Sequence, residues 1–123
     1  MAETDNIKWL DAPEDKDYPA AASYLCLLMP EAKAQALVKQ LQGAPITRFK
    51  AKDIFRASTL SLLGVSNSHV EKDRKKIEAG KPLSPILLVR DGVPGRLVIA
   101  DGYHRLCAVY SINEDALIPS KIV

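Results

Sequence analysis

What this sequence lacks narrows its chemistry first. It holds two cysteines, Cys26 and Cys107, and two histidines, His69 and His104, scattered along the chain. That scatter makes neither a zinc-ligand pattern nor a disulfide framework. Two isolated cysteines in apolar surroundings fit a reducing compartment. Aromatic residues are only 6% and are not interleaved with the basic ones, which argues against a stacking platform for single-stranded nucleic acid. No apolar run approaches the roughly 18 residues of a membrane span. The start, Met1-Ala2-Glu3-Thr4-Asp5, is acidic and has no apolar signal core. A membrane partner is therefore not expected, and the expected location is the cytoplasm. Neither a Gly-rich P-loop nor a Gly-x-Ser-x-Gly elbow occurs. Net charge is +2, which favours no class of partner, so any basic site has to be local.

What is present is ordinary globular material. Apolar residues are 47% and charged residues 26% of 123, enough for one domain with a real core. Residues 1–18 read as an acidic, extended arm that Trp9 and Leu10 can dock. Pro19 to Met29 reads as an Ala/Leu-rich helix with Pro19 in its first turn. Pro30 stops it, and Glu31 to Gln42 follows as a second helix, with Ala34, Leu37, Val38 and Leu41 at helical spacing and Gly43 closing it. The pair looks like a helical hairpin. Pro45 to Lys50 reads as a linker, and Ala51 to Arg56 as a strand or turn. Ser66-Asn67-Ser68 offers caps for a helix from His69 to about Ala79, ended by Gly80. Ser84-Pro85 introduces a strand, Ile86 to Val89. Residues 91–95 read as a hairpin loop, Arg96 to Ala100 as the returning strand, and Pro119 to Val123 as a closing strand. The division is thus an arm plus hairpin over residues 1–50 and an α+β unit over 51–123, a small mixed sheet flanked by helices.

The most informative stretch is Ala100-Asp101-Gly102-Tyr103-His104-Arg105-Leu106-Cys107. It joins the apolar run Leu97 to Ala100 to a short helix carrying Leu106, Ala108, Val109 and Ile112. A helix start already attracts an anion through its free N–H groups and its dipole. A glycine there lets a ligand approach the backbone. Cations in a first turn oppose the dipole, so His104 and Arg105 at that place point to a bound phosphate or nucleotide. The competing reading is a turn with a solvated Arg and a hydrogen-bonded structural His. Under the phosphate reading, Arg105→Ala should weaken binding by about 1.5–3 kcal/mol and leave stability nearly unchanged. Cys107 reads as a small core hydrophobe.

A helix, Pro85-Ile86-Leu87-Leu88-Val89, a hairpin, then Gly102-x-His104-Arg105 on a strand–helix turn resembles the ParB/sulfiredoxin-like superfamily over residues 54–123. The closing Ile118 to Val123 is similar to the last strand of sulfiredoxin. The resemblance implies a ParB/sulfiredoxin-like fold and a nucleotide ligand, ATP or CTP, with Mg²⁺ as a companion. It implies that Gly102, His104 and Arg105 hold phosphate, and that the chemistry, where there is any, is NTP hydrolysis or phosphoryl transfer. His104 and Asp101 are the candidate catalytic groups; Asp101 can orient His104, touch a ribose or hold Mg²⁺ through water, or else only stabilise its turn. Sulfiredoxin activity itself is not expected, because Tyr103 stands where that family has its thiol, and a phenol with a pKa of about 10 cannot replace a thiolate.

A second set of cations lies on the His69–Ala79 helix. His69, Lys72 and Lys76 are spaced 0, 3 and 7, on one face. If that helix packs as in sulfiredoxin, the three approach the phosphates; otherwise they belong to a solvated face balanced by Glu71, Asp73 and Glu78. Arg56 falls where the family's first strand approaches the ligand. Two other functions compete: a protein-interaction module using the N-terminal helices and arm, and nucleic-acid binding through Lys72, Arg74, Lys75, Lys76 and Arg105. The low net charge disfavours the second of these.

Overall fold

A computed structural model describes residues 7–60, 67–90 and 96–123. In chain order the described elements are α1 (Asp17–Leu25), α2 (Glu31–Gly43), β1 (Thr47–Lys50), α3 (Ala51–Ser58), α4 (Ser68–Glu78), β2 (Ile86–Val89), β3 (Val98–Asp101), α5 (Tyr103–Ile112) and β4 (Leu117–Ile122). The class is α+β, with a helical pair ahead of a mixed four-stranded sheet in the order β1-β4-β2-β3. β1 runs antiparallel to β4, β4 parallel to β2, and β2 antiparallel to β3. The hairpin loop read at 91–95 lies outside the described residues, as does Ser66.

The apolar run of β2 is the reason it lies inside the sheet. All four of its residues are buried, because both faces are covered. Alternation divides them. Leu87 and Val89, with Ala100 of β3, meet Ala21, Ala22 and Leu25 of α1 and Ala34, Val38 and Leu41 of α2. Ile86 and Leu88, with Ile99 and Ile118, meet Ile54 of α3 and Leu106 and Val109 of α5 on the other face. α4 packs outside α5 through Val70 against Cys107 and Ala108. Asn67 caps α4: its Oδ1 accepts from the N–H groups of His69 and Val70 at 3.0 and 3.2 Å.

Four local readings are corrected. Thr47–Lys50, expected in a linker, forms the edge strand β1. Ala51 to Arg56, expected as strand or turn, lies in helix α3, which runs Ala51–Ser58 and is buried through Ala51, Ile54 and Ser58. The first helix ends at Leu25 rather than Met29. The N–H groups of Leu27 and Leu28 donate to the Tyr24 and Leu25 carbonyls, a tightened turn ahead of Pro30, which disfavours helix at the residue before it. Cys26, expected in apolar surroundings, is exposed, whereas Cys107 is fully buried. The arm is pinned by an isolated parallel bridge from Trp9 to Leu83, where Leu10 N–H donates to Leu83 O at 2.8 Å and Leu83 N–H to Lys8 O at 2.9 Å. Packing therefore crosses residue 50 at several points: the Trp9 bridge, the β1–β4 ladder, and the shared core under α1 and α2.

Candidate functional site

The β3–α5 turn is built around Gly102, whose φ of 108° lies in the left-handed region. A Cβ at this position would run into Ile86 Cγ2 and lie 2.8 Å from Ile86 Cβ. The close approach that this glycine permits is therefore to β2 inside the protein. Beyond it the polypeptide enters α5 directly. Because glycine has no side chain to offer, α5 starts without a side-chain cap, in contrast to α4.

From this turn the side chains divide. Arg105 turns inward. Its Nη2 donates to Asp101 Oδ2 at 3.0 Å and to the Pro85 carbonyl at 3.3 Å, and both charged side chains are 17% exposed. Its Nε is buried and has no hydrogen-bond partner among the described residues. The buried Asp17, from the start of α1, reaches the same carboxyl. Its own Oδ2 accepts from Glu14 N–H at 2.9 Å, closing the turn that starts α1. Burial lifts the Asp101 carboxyl above its ordinary 3.8. Arg105 opposes that shift by charge and hydrogen bond, Asp17 reinforces it, and the net direction is upward. Asp17, Asp101, Arg105 and Pro85 thus tie α1, β3, α5 and the entry to β2 at one point.

His104 turns the other way. Its ring centroid lies 4.9 Å from that of His69, at 40° between planes, and 5.8 Å from the Tyr103 ring. The chain's only two histidines, 35 positions apart in sequence, meet where α4 and α5 begin. His69 is exposed and His104 half-buried, so the pair faces solvent over an uncapped helix start. Tyr103 bonds the Cys107 side chain, and burial, then Cys107, pushes its phenol above 10.0.

Arg56 lies on the last turn of α3 rather than on a strand, 85% exposed, with Asp53 at 4.0 Å as its partner. Among the described residues no hydrogen bond or ion pair links Lys72, Lys76 or Arg56 to the turn. Arg74 is committed to packing, donating to Ser111 Oγ of α5 at 3.1 Å beside Glu71 and Glu78. Asp17 carries no mark of a site residue in the sequence, since Asp11, Glu14 and Asp15 surround it. Arg105's partner was legible: Asp101 and Arg105 stand four apart, the spacing of a side-chain pair.

Among the described residues no group of three or more His, Cys, Asp or Glu gathers to hold a metal ion, and no helix is long and apolar enough to cross a membrane. No protein-family model, curated protein or solved structure matches the chain.

Proposed function

We propose that this chain is a nucleotide- or phosphate-binding domain of the ParB/sulfiredoxin type, with its ligand at the start of α5. The observation that carries the reading is the meeting of His69 and His104 above an uncapped helix start. Two imidazoles and a helix dipole aimed at one place favour an anion there. In this reading the first-turn N–H groups of α5 hold a phosphate oxygen, and His104 and His69 donate to others. Arg105 acts one step back: it fixes Asp101 and the turn without direct contact. Lys72 and Lys76 on α4 add long-range attraction. ATP or CTP is the expected ligand, with Mg²⁺ carried on the phosphates. If hydrolysis or phosphoryl transfer follows, His104 is the proton-transfer group and Asp101 the residue behind Arg105.

Calorimetric titration of the full chain with ATP, CTP, ADP and pyrophosphate, with and without Mg²⁺, tests this. Saturable binding that His104→Ala weakens about tenfold, the scale of one charge-assisted hydrogen bond, supports it. Absence of binding for every one of these ligands refutes it.

A second reading has its own observation. Tyr24 at the end of α1 and Leu27 and Leu28 on the turn after it are 42%, 82% and 51% exposed, an apolar knuckle suited to a protein partner. It fits a non-catalytic interaction module, and pull-down of a defined partner that Leu27→Ser with Leu28→Ser abolishes would favour it.

A further inference from the structure

The contact between His69 and His104 leaves their ring nitrogens unused. Among the described residues neither imidazole makes a hydrogen bond or an ion pair; the bond from His69 to Asn67 comes from its main-chain N–H. His104 is half-buried, so ring nitrogens without a protein partner cost free energy there. Nor is the contact a favoured aromatic pair. Planes 40° apart lie between the stacked and the edge-to-face arrangements that rings prefer.

The separation of the rings points to what would join them. A transition-metal ion sits about 2.0–2.1 Å from an imidazole nitrogen, and so about 3.2 Å from the ring centre. Two imidazoles on one ion then have ring centres about 4.5–5.2 Å apart, for angles at the ion from about 90° to 110°. His69 and His104 stand at 4.9 Å. The packing of Val70 against Cys107 and Ala108 holds the two helix starts side by side. No third protein group completes the set. Tyr103, beside His104, bonds Cys107, and among the described residues no three His, Cys, Asp or Glu gather. Lys72 and Asp73, three and four residues after His69, bring opposite charges to this part of α4 and offset each other.

We propose that His69 and His104 bind one divalent transition-metal ion of the Zn²⁺ class between the starts of α4 and α5. Each ring gives one nitrogen, and imidazole is the commonest metal ligand among side chains. Two neutral ligands leave the ion its full charge, so its remaining positions take water or an anion. The first-turn N–H groups of α5 favour the anion. Mg²⁺ does not compete, because it takes oxygen ligands. The inference does not rest on the phosphate reading, since the ion is tested with no phosphate present.

Titration of the full chain with Zn²⁺ in phosphate-free buffer, followed through the histidine side-chain nitrogens by NMR, tests it. Both rings should shift together and saturate at one ion per chain, while the same concentration of Mg²⁺ moves neither. His69→Ala and His104→Ala should each weaken binding at least about tenfold. The double variant should be little worse than either single one, because the ion needs both rings at once. Cys26→Ser should leave the response unchanged, which separates this site from the exposed thiol. No saturable shift, a shift of one ring alone, or a response lost in Cys26→Ser overturns the proposal. So does a single histidine variant that binds as tightly as the parent chain, or fully additive losses in the double variant. Should a histidine variant not fold, the joint movement of both rings in the unaltered chain still decides. Zn²⁺ binding without any affinity for pyrophosphate would sink the phosphate reading and leave this one standing.

Discussion

Two neighbouring residues, His104 and Arg105, leave the same turn in opposite directions. Arg105 goes inward to Asp101 and Pro85, beside the buried Asp17. His104 goes outward to His69. Both are cationic types in the first turn of a helix, and sequence alone gives them the same role. The difference lies in their surroundings. Asp101, at the end of β3 four residues before Arg105, is half-buried, so the guanidinium is worth more to the fold there than to a ligand. His104 meets another titratable ring, half in water, with an uncapped helix start beside it. The inner group builds the turn; the outer pair is free to use it.

Removing the inner charge should have the largest effect. Arg105→Met leaves the half-buried Asp101 without its cation, close to Asp17, and should cost about 2–4 kcal/mol in denaturant melts, between the exposed and the fully buried limits. That replaces the expectation of nearly unchanged stability. The loss should shrink at low pH, where Asp101 can take up a proton; a loss well under 1 kcal/mol would place Arg105 on the solvent side after all. Gly102→Ala comes next. It combines an unfavourable φ with a collision against Ile86 and should cost about 2–4 kcal/mol by the same measurement. A tolerated alanine would mean that β2 and the turn are less closely packed than described.

The outer pair should respond in the opposite sense. His104→Ala and His69→Ala should each change stability by no more than about 0.5 kcal/mol. Each should weaken pyrophosphate binding about tenfold by calorimetry. Destabilisation without loss of affinity would erase the contrast between the two sides.

The smallest effect concerns pH. The folded Asp101 carboxyl stands above its ordinary 3.8, so the folded state holds that proton more tightly than the unfolded state does. The resulting stability is fully present below 3.8 and is lost as pH rises through the folded value. Asp17→Asn removes one of the two causes of that shift. Thermal melts across this acidic window should therefore fall less steeply with rising pH in the variant than in the parent chain. Parallel curves would show that burial alone lifts Asp101.

The elements that strong patterns mark were legible in the sequence. Ile86 to Val89 is too apolar for anything but the interior, and Asn67 before His69 is a cap by chemistry. Gly102 between an apolar run and a helical period marks a turn. The losses have physical causes. α3 is only eight residues long and follows Lys50 without a side-chain cap, so its apolar face spans about two turns and no start signal marks it. β1 lies at the sheet edge with only Phe49 half-buried and charged Arg48 and Lys50 beside it, so it reads as linker. Of the candidate site, the spacing of His69, Lys72 and Lys76 marked one face of α4, but the sequence left open whether that face meets the turn, and the ring contact between His69 and His104 was not legible in it. The Asp101–Arg105 spacing was legible as a pair, but the inward turn of Arg105 was not, because the order of residues does not show which side of the turn the fold covers. Asp17 was illegible, since nothing in an acidic segment distinguishes the one carboxylate that the fold buries.

Because the chain has only two histidines, their side-chain nitrogens give an NMR spectrum of two residues, and pyrophosphate titration followed in that spectrum reads the outer pair directly. The account predicts that His69 and His104 shift together and saturate at the same concentration, while the Arg105 side-chain signals stay nearly in place. Saturable pyrophosphate binding that leaves both histidines unmoved, or that moves Arg105 instead, would contradict it.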